Sequence, residues 1–294
     1  MKKSQHTKPF DRKEVFILAF KQHYGTILAV SLAMLIFALP TIFAMGWSYV
    51  ELYLLGDVTS ANAVQMYEIQ TRMYLWLIPA FVILSVGISG AFYVIRRLVW
   101  DESVLFFRDF FRGIKNNFWQ TMAVSVLFIL FLGGLNYAMN TLVLNASLGS
   151  VYWMLFVVQI FLAVTALLLL LFQYAIIAVY KDNLWNIIKN SFALVWTSYL
   201  RSFAMLVLSF APVLLMFLFA NVYVIYIVIL ILLSLVGFGY GILTFTLHTH
   251  YVFDKRINKN YFPQIYKKGL YNEGTTIYFD GASSPTVPSN VDVE

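Results

Sequence analysis

Few residues in this 294-residue chain have types and spacings that could do chemistry. His248-Thr249-His250 has the His-x-His spacing that serves as a metal pair on a strand. On a helix, positions i and i+2 point about 200° apart, so one ion does not bridge them. No carboxylate cluster accompanies the pair. Cysteine is absent, which removes disulfides, thiolate metal sites and thiol nucleophiles. There is no Gly-rich phosphate loop, no Gly-x-Ser-x-Gly elbow and no His-Glu-x-x-His. The chain reads as a non-enzyme with no metal and no cofactor.

Two polar sets remain. Asn136, Asn140, Gln159 and Gln173 fall in otherwise apolar segments. With Tyr137, Trp153 and Tyr174 they make a candidate membrane-interior site for a polyhydroxylated ligand, although such amides more often hydrogen-bond between helices. The second set is Arg108, Arg112 and Lys115, spaced about one helical turn apart beside a stripe of Phe107, Phe111, Ile114 and Phe118. A helix divided this way lies along a membrane surface rather than crossing it. Its basic flank suits either anionic lipid headgroups or a docking face for a cytoplasmic partner.

The elements that must position these residues follow from composition. The chain is 61% hydrophobic and 12% charged, against about 25% charged in an average soluble domain. It lacks the polar residues to cover a soluble core of its size. The net charge of +6 is therefore a question of membrane sidedness, not of nucleic acid.

Uncharged runs cover residues 22–50, 73–95, 116–180 and 202–253. A span needs about 20 residues, so the first two runs hold one span each and the last two hold two each. The expected fold is all-α: a polytopic bundle of six transmembrane helices over residues 1–254, with turns at 145–150 and near Asn221. Interfacial helices are expected near 9–22, 101–119 and 181–200, and a tail over 255–294, its last part disordered. Nineteen of the 20 Lys and Arg fall on one side of this arrangement, Arg72 alone opposite, which makes both termini cytoplasmic in the cell membrane. No ionisable residue falls in the middle of a span, against a proton- or sodium-coupled pump.

The stretch 181–196 repeats the opening pattern, with Leu184, Ile188, Phe192 and Val195 at helical spacing. Phe20-Lys21-Gln22-His23-Tyr24 also aligns with Ile114-Lys115-Asn116-Asn117-Phe118, followed by Ala29 with Ala123 and Ser31 with Ser125. The sequence thus suggests three copies of one unit, an amphipathic helix and the span that follows it. Gly87 with Ala91, and Gly237 with Gly241, are i, i+4 small pairs expected at close helix contacts, within the chain or between copies in a homo-oligomer.

The stretch around the basic set also resembles a known family. Gly87, Ser89, Gly90 and Ala91 end an apolar run, Arg96-Arg97-Leu98-Val99 and Asp101-Glu102 follow, and Phe107 to Phe118 interleaves aromatics with Arg and Lys. This is similar to the YesL family of bacterial membrane proteins, as is Leu35-Ile36-Phe37-Ala38-Leu39-Pro40 in the first span. The resemblance implies a setting rather than a mechanism. Members are often encoded beside carbohydrate ABC importers, so an accessory role in sugar uptake, with importer subunits and the bilayer as partners, is the expectation. A passive carrier for a neutral solute or lipid is the alternative. The family brings no catalytic or ligand residues to carry over.

Overall fold

The computed structural model describes residues 11–56, 63–144, 149–218, 228 and 231–270. Residues 145–148 of the turn expected at 145–150, the turn near Asn221 and the tail beyond residue 270 lie outside them. Among the described residues every regular element is a helix. We label them α1 (Arg12–Gln22), α2 (Tyr24–Leu55), α3 (Ala63–Val99), α4 (Phe106–Leu144), α5 (Ser150–Val179), α6 (Leu184–Thr197), α7 (Tyr199–Ser209), α8 (Ala211–Leu218) and α9 (Phe238–Phe253). Four of them, α2 to α5, are long and apolar enough to cross a bilayer, and the total is five only if α6 and α7, bent by 96°, are counted together as one broken span. The chain is thus compatible with a multi-pass membrane protein.

Aromatic side chains are exposed along the long helices, among them Tyr24, Phe43, Trp47, Tyr49 and Tyr53 on α2 and Phe107, Phe111, Trp119, Phe131 and Tyr137 on α4.

The two short helices α1 and α6 start on side-chain caps. Asp11 accepts from the Glu14 backbone N–H at 2.8 Å, and Asn183 from that of Asn186 at 2.8 Å. Each cap satisfies a donor that the first helical turn leaves open. Both helices end at a single non-helical residue, His23 (φ −122°, ψ 24°) and Ser198 (φ −133°, ψ 22°), and the next helix starts on a tyrosine. The stretch 101–119 behaves differently. Expected as a separate interfacial helix, it is a turn followed by the entry to α4, which runs unbroken for 39 residues.

The repeat extends into the packing. Aligning His23, Asn117 and Ser198 brings Val15, Asp109 and Asn190 together, all buried, and likewise Ala19, Gly113 and Leu194. Beyond the junction Ile27, Thr121 and Ser202 are equivalent and buried, as are Ser31, Ser125 and Leu206. Ile17, Phe111 and Phe192 are the matching exposed positions. One face of a helical unit is therefore used three times, with different side chains.

The arrangement has a rough threefold order. α3, α5 and α9 touch one another. α2 packs on α3 and α9, α4 on α3 and α5, and α6–α7 on α5 and α9. Each repeated unit thus fills the gap between two central helices. The ordered fold does not stop at residue 254. The helix continues through a π turn, Asp254–Asn258, to Tyr261, and residues 262–270 fold back onto the bundle.

Candidate functional site

The buried charge gathers at the end of the bundle where α1 begins and α3, α5 and α9 end. Arg12 on α1 pairs with Asp254 (Nη2 to Oδ2, 2.6 Å) and donates from Nη1 to the Lys268 carbonyl at 3.2 Å. The other Asp254 oxygen accepts from Asn258 Nδ2 at 2.9 Å and from the Lys267 backbone N–H at 3.1 Å. Lys268 reaches the α3–α4 turn, pairing with Glu102 at 2.7 Å and lying over the Trp100 ring. Glu102 in turn takes Arg97 Nε at 3.0 Å, and Arg97 Nη1 reaches Asp109 at 2.7 Å.

Asp109 is wholly buried, and its second oxygen accepts from the Leu105 N–H at 2.8 Å, which closes the first turn of α4. A buried carboxylate is tolerable only when paired and hydrogen-bonded in this way. The result is one chain of partners running from the C-terminal segment through α1 and the α3–α4 turn into α4. Gly269, at φ +84°, lets that segment cross directly over the Val99 carbonyl and Trp100, where a Cβ would collide with backbone.

A second layer lies under this network. Arg96 donates to the Ala178 carbonyl at 2.6 Å, one of the carbonyls the end of α5 leaves open, and is stacked between the Tyr93 and Trp100 rings. Tyr180, just past α5, donates its hydroxyl to Asn258. Burial, reinforced by the nearby Asp254 charge, holds that phenol well above its ordinary pKa, so it remains a donor. Leu98, Val99, Asp101, His23 and Gly269 help line a cleft of about 40 Å³, room for a few waters and not for a sugar.

The residues singled out from sequence do not converge on this site. Arg108, Arg112 and Lys115 are all exposed on the first turns of α4, Arg108 lying 3.5 Å from Asp109. Phe107 and Phe111 are exposed beside them, while the face turned to α3 is Phe110 and Gly113. Of the expected stripe, Phe107 and Phe111 therefore face outward, while Ile114 and Phe118 are half-buried and Ile114 packs against the core.

The amides stand apart. Gln173 donates to Ser191 of α6 at 3.3 Å, and Gln159 is about 21 Å away along the same helix, 14 residues at 1.5 Å each. One small ligand does not span both. Asn136 is half-buried on α4, and the side chain of Asn140 lies outside the described residues.

The two histidines face different partners, as the helical spacing requires. His248 Nε2 meets Ser202 of α7 at 2.9 Å, and His250 Nδ1 accepts from Trp100, just past the end of α3, at 3.3 Å. Among the described residues no group of three or more His, Asp or Glu is arranged for a metal. Of the small residues, Gly87 faces Phe37 of α2, Ala91 is buried and Gly241 faces the Ser209 carbonyl. Gly237 instead meets Leu233 one turn back in its own segment.

Sequence reasoning missed Asp109, Asp254 and Lys268. Their partners are set by a chain reversal that no local pattern announces, although a lone acid among the cations of 108–115 is a usable signal. No family model matches the chain, and neither does any curated protein or solved structure.

Proposed function

We propose that the chain is a six-span protein of the bacterial cytoplasmic membrane with both termini and the charged pole in the cytoplasm. It serves carbohydrate uptake as a non-enzymatic accessory protein that binds importer subunits at that pole, as the YesL resemblance implies. The observation that carries the reading is the interlocked cap. Arg12–Asp254, Arg97–Asp109 and Lys268–Glu102 tie α1, the α3–α4 turn and the C-terminal segment into one preformed polar surface. A face held in shape before binding spares the ordering cost that a mobile one would incur.

Co-purification in mild detergent tests the proposal. Importer subunits retained with the wild-type chain and lost on Lys268→Glu, at unchanged membrane levels, support it. A chain that leaves the membrane without any such subunit sinks it. Reporter fusions after residues 20, 110, 190 and 260 should all report cytoplasm, and those near 60 and 147 the outside. An outside signal at 110 reverses the orientation.

The threefold use of one unit favours a second reading, a passive carrier, since internal repeats are common in membrane transport proteins. That reading requires a neutral solute or lipid bound to the purified chain. It also requires uptake by reconstituted protein that an uncoupler leaves unchanged.

A further inference from the structure

We propose that the first turns of α4 form an anionic-phospholipid site, in which Arg108, Arg112 and Lys115 hold a lipid phosphate while Phe107 and Phe111 enter the acyl–headgroup boundary. The argument comes from the three equivalent helices. Ile17, Phe111 and Phe192 occupy one position of the repeat and are all exposed, at 63%, 61% and 53%. Just beyond the junction, Tyr24, Phe118 and Tyr199 are likewise equivalent.

The α6 copy identifies what this outward face meets. Trp185, Phe192 and Trp196 recur there at i, i+7 and i+11, forming one exposed stripe opposite buried Ile187, Asn190 and Leu194. Two exposed tryptophans on a short helix bent 96° from the next are the mark of a helix lying at the membrane interface. The repeat therefore turns Phe111 to the same outward side of its unit as Phe192.

The copies differ in the flank beside that face. Its three positions are Arg108, Arg112 and Lys115 in α4, but Glu14, Leu18 and Lys21 in α1, and Lys189, Ala193 and Trp196 in α6. Only α4 offers three cations there. Neighbours at i+4 and i+3 stand about 5–6 Å apart, so two of them reach one phosphodiester together. Among the described residues neither Arg112 nor Lys115 makes an ion pair, and Arg108 lies only loosely against Asp109. Asp109, the acid beside them in sequence, is already paired with Arg97 at 2.7 Å. This site stands apart from the accessory reading, because it needs only the purified chain and defined lipid.

The experiment is native mass spectrometry of the full chain exchanged into micelles containing phosphatidylglycerol and phosphatidylcholine in equal amounts. Wild type should retain phosphatidylglycerol in preference, and the preference should weaken as salt is raised. About 1 kcal/mol per basic residue corresponds to roughly fivefold, so Arg112→Gln alone should lower the preference about fivefold. The triple change R108Q/R112Q/K115Q should abolish it. Lys21→Gln with Lys189→Gln, which removes the single cation at the equivalent flank of α1 and of α6, should leave it within twofold. Inorganic phosphate at millimolar concentration should not displace the lipid. Equal retention of the two lipids by wild type overturns the proposal, as does a preference that survives in folded R112Q and in the triple variant. Displacement by phosphate alone overturns the lipid assignment.

Discussion

α4 and the α6–α7 pair are the same unit built in two ways, and one carbonyl shows the difference. In α6–α7 the Leu194 carbonyl takes the hydroxyls of Thr197 at 3.2 Å and Ser198 at 2.7 Å. The Ser198 N–H turns to Val195 instead, and the chain leaves the junction at 96°. Side-chain hydroxyls that compete for helix carbonyls bend helices in this way. In α4 the equivalent carbonyl belongs to Gly113, and its extra donor is Ser89 of α3 at 3.0 Å. There Gly90 and Gly113 bring the helix backbones together, and a Cβ on Gly113 would run into Tyr93. A partner from outside keeps α4 straight, whereas partners from within break α6–α7. Where a repeat unit finds its hydrogen bonds decides its shape.

The comparison breaks most completely at Arg97. Arg97→Ala leaves Asp109 buried without its cation, a loss of about 3–5 kcal/mol. Thermal unfolding in detergent should show this as a large fall in midpoint, while Arg108→Ala, at an exposed pairing, should barely move it. A wild-type midpoint for Arg97→Ala would mean that the buried pair does not hold the start of α4.

Next comes the glycine contact. Gly113→Val should cost about 1–3 kcal/mol, because the crowded atoms include Gly90 backbone that cannot rotate away. The equivalent Leu194→Val in α6 should cost no more than about 1.5 kcal/mol, since that site already accommodates a side chain. Similar losses at the two positions would erase the distinction drawn between the copies.

A smaller effect is expected at the junction itself. Replacing Thr197 and Ser198 by Ala removes the two hydroxyls and should change stability by about 1 kcal/mol while opening the bend. Spin labels near residues 186 and 207 should then report a longer separation. An unchanged distance would assign the bend to packing against α5 and α9 rather than to the hydroxyls. The smallest readout is optical. In vesicles with brominated lipids, Trp185 and Trp196, each kept as the one tryptophan of a variant, should be quenched best by bromines near the headgroup. Strongest quenching by bromines deep in the chains would take α6 off the interface.

Sequence by itself determined the elements whose causes are local. Uncharged runs longer than a bilayer is thick gave α2 and α5, because burying backbone in lipid requires a helix whatever else the chain does. Aligned polar residues before the spans disclosed the repeat, since one packing face at helical spacing leaves its period in the text. Only tertiary structure decided how those elements are used. Arg12 and Asp254 are separated by 242 residues and Lys268 and Glu102 by 166, so nothing local indicates that these charges meet. Phe107 and Phe111 of the expected stripe face outward while Ile114 packs inward, because Gly90, Tyr93 and Arg97 of α3 claim the adjacent face at Phe110, Gly113 and Asp109. An amphipathic pattern states that a helix has two sides, and only the neighbour's shape and charge state which side is turned in.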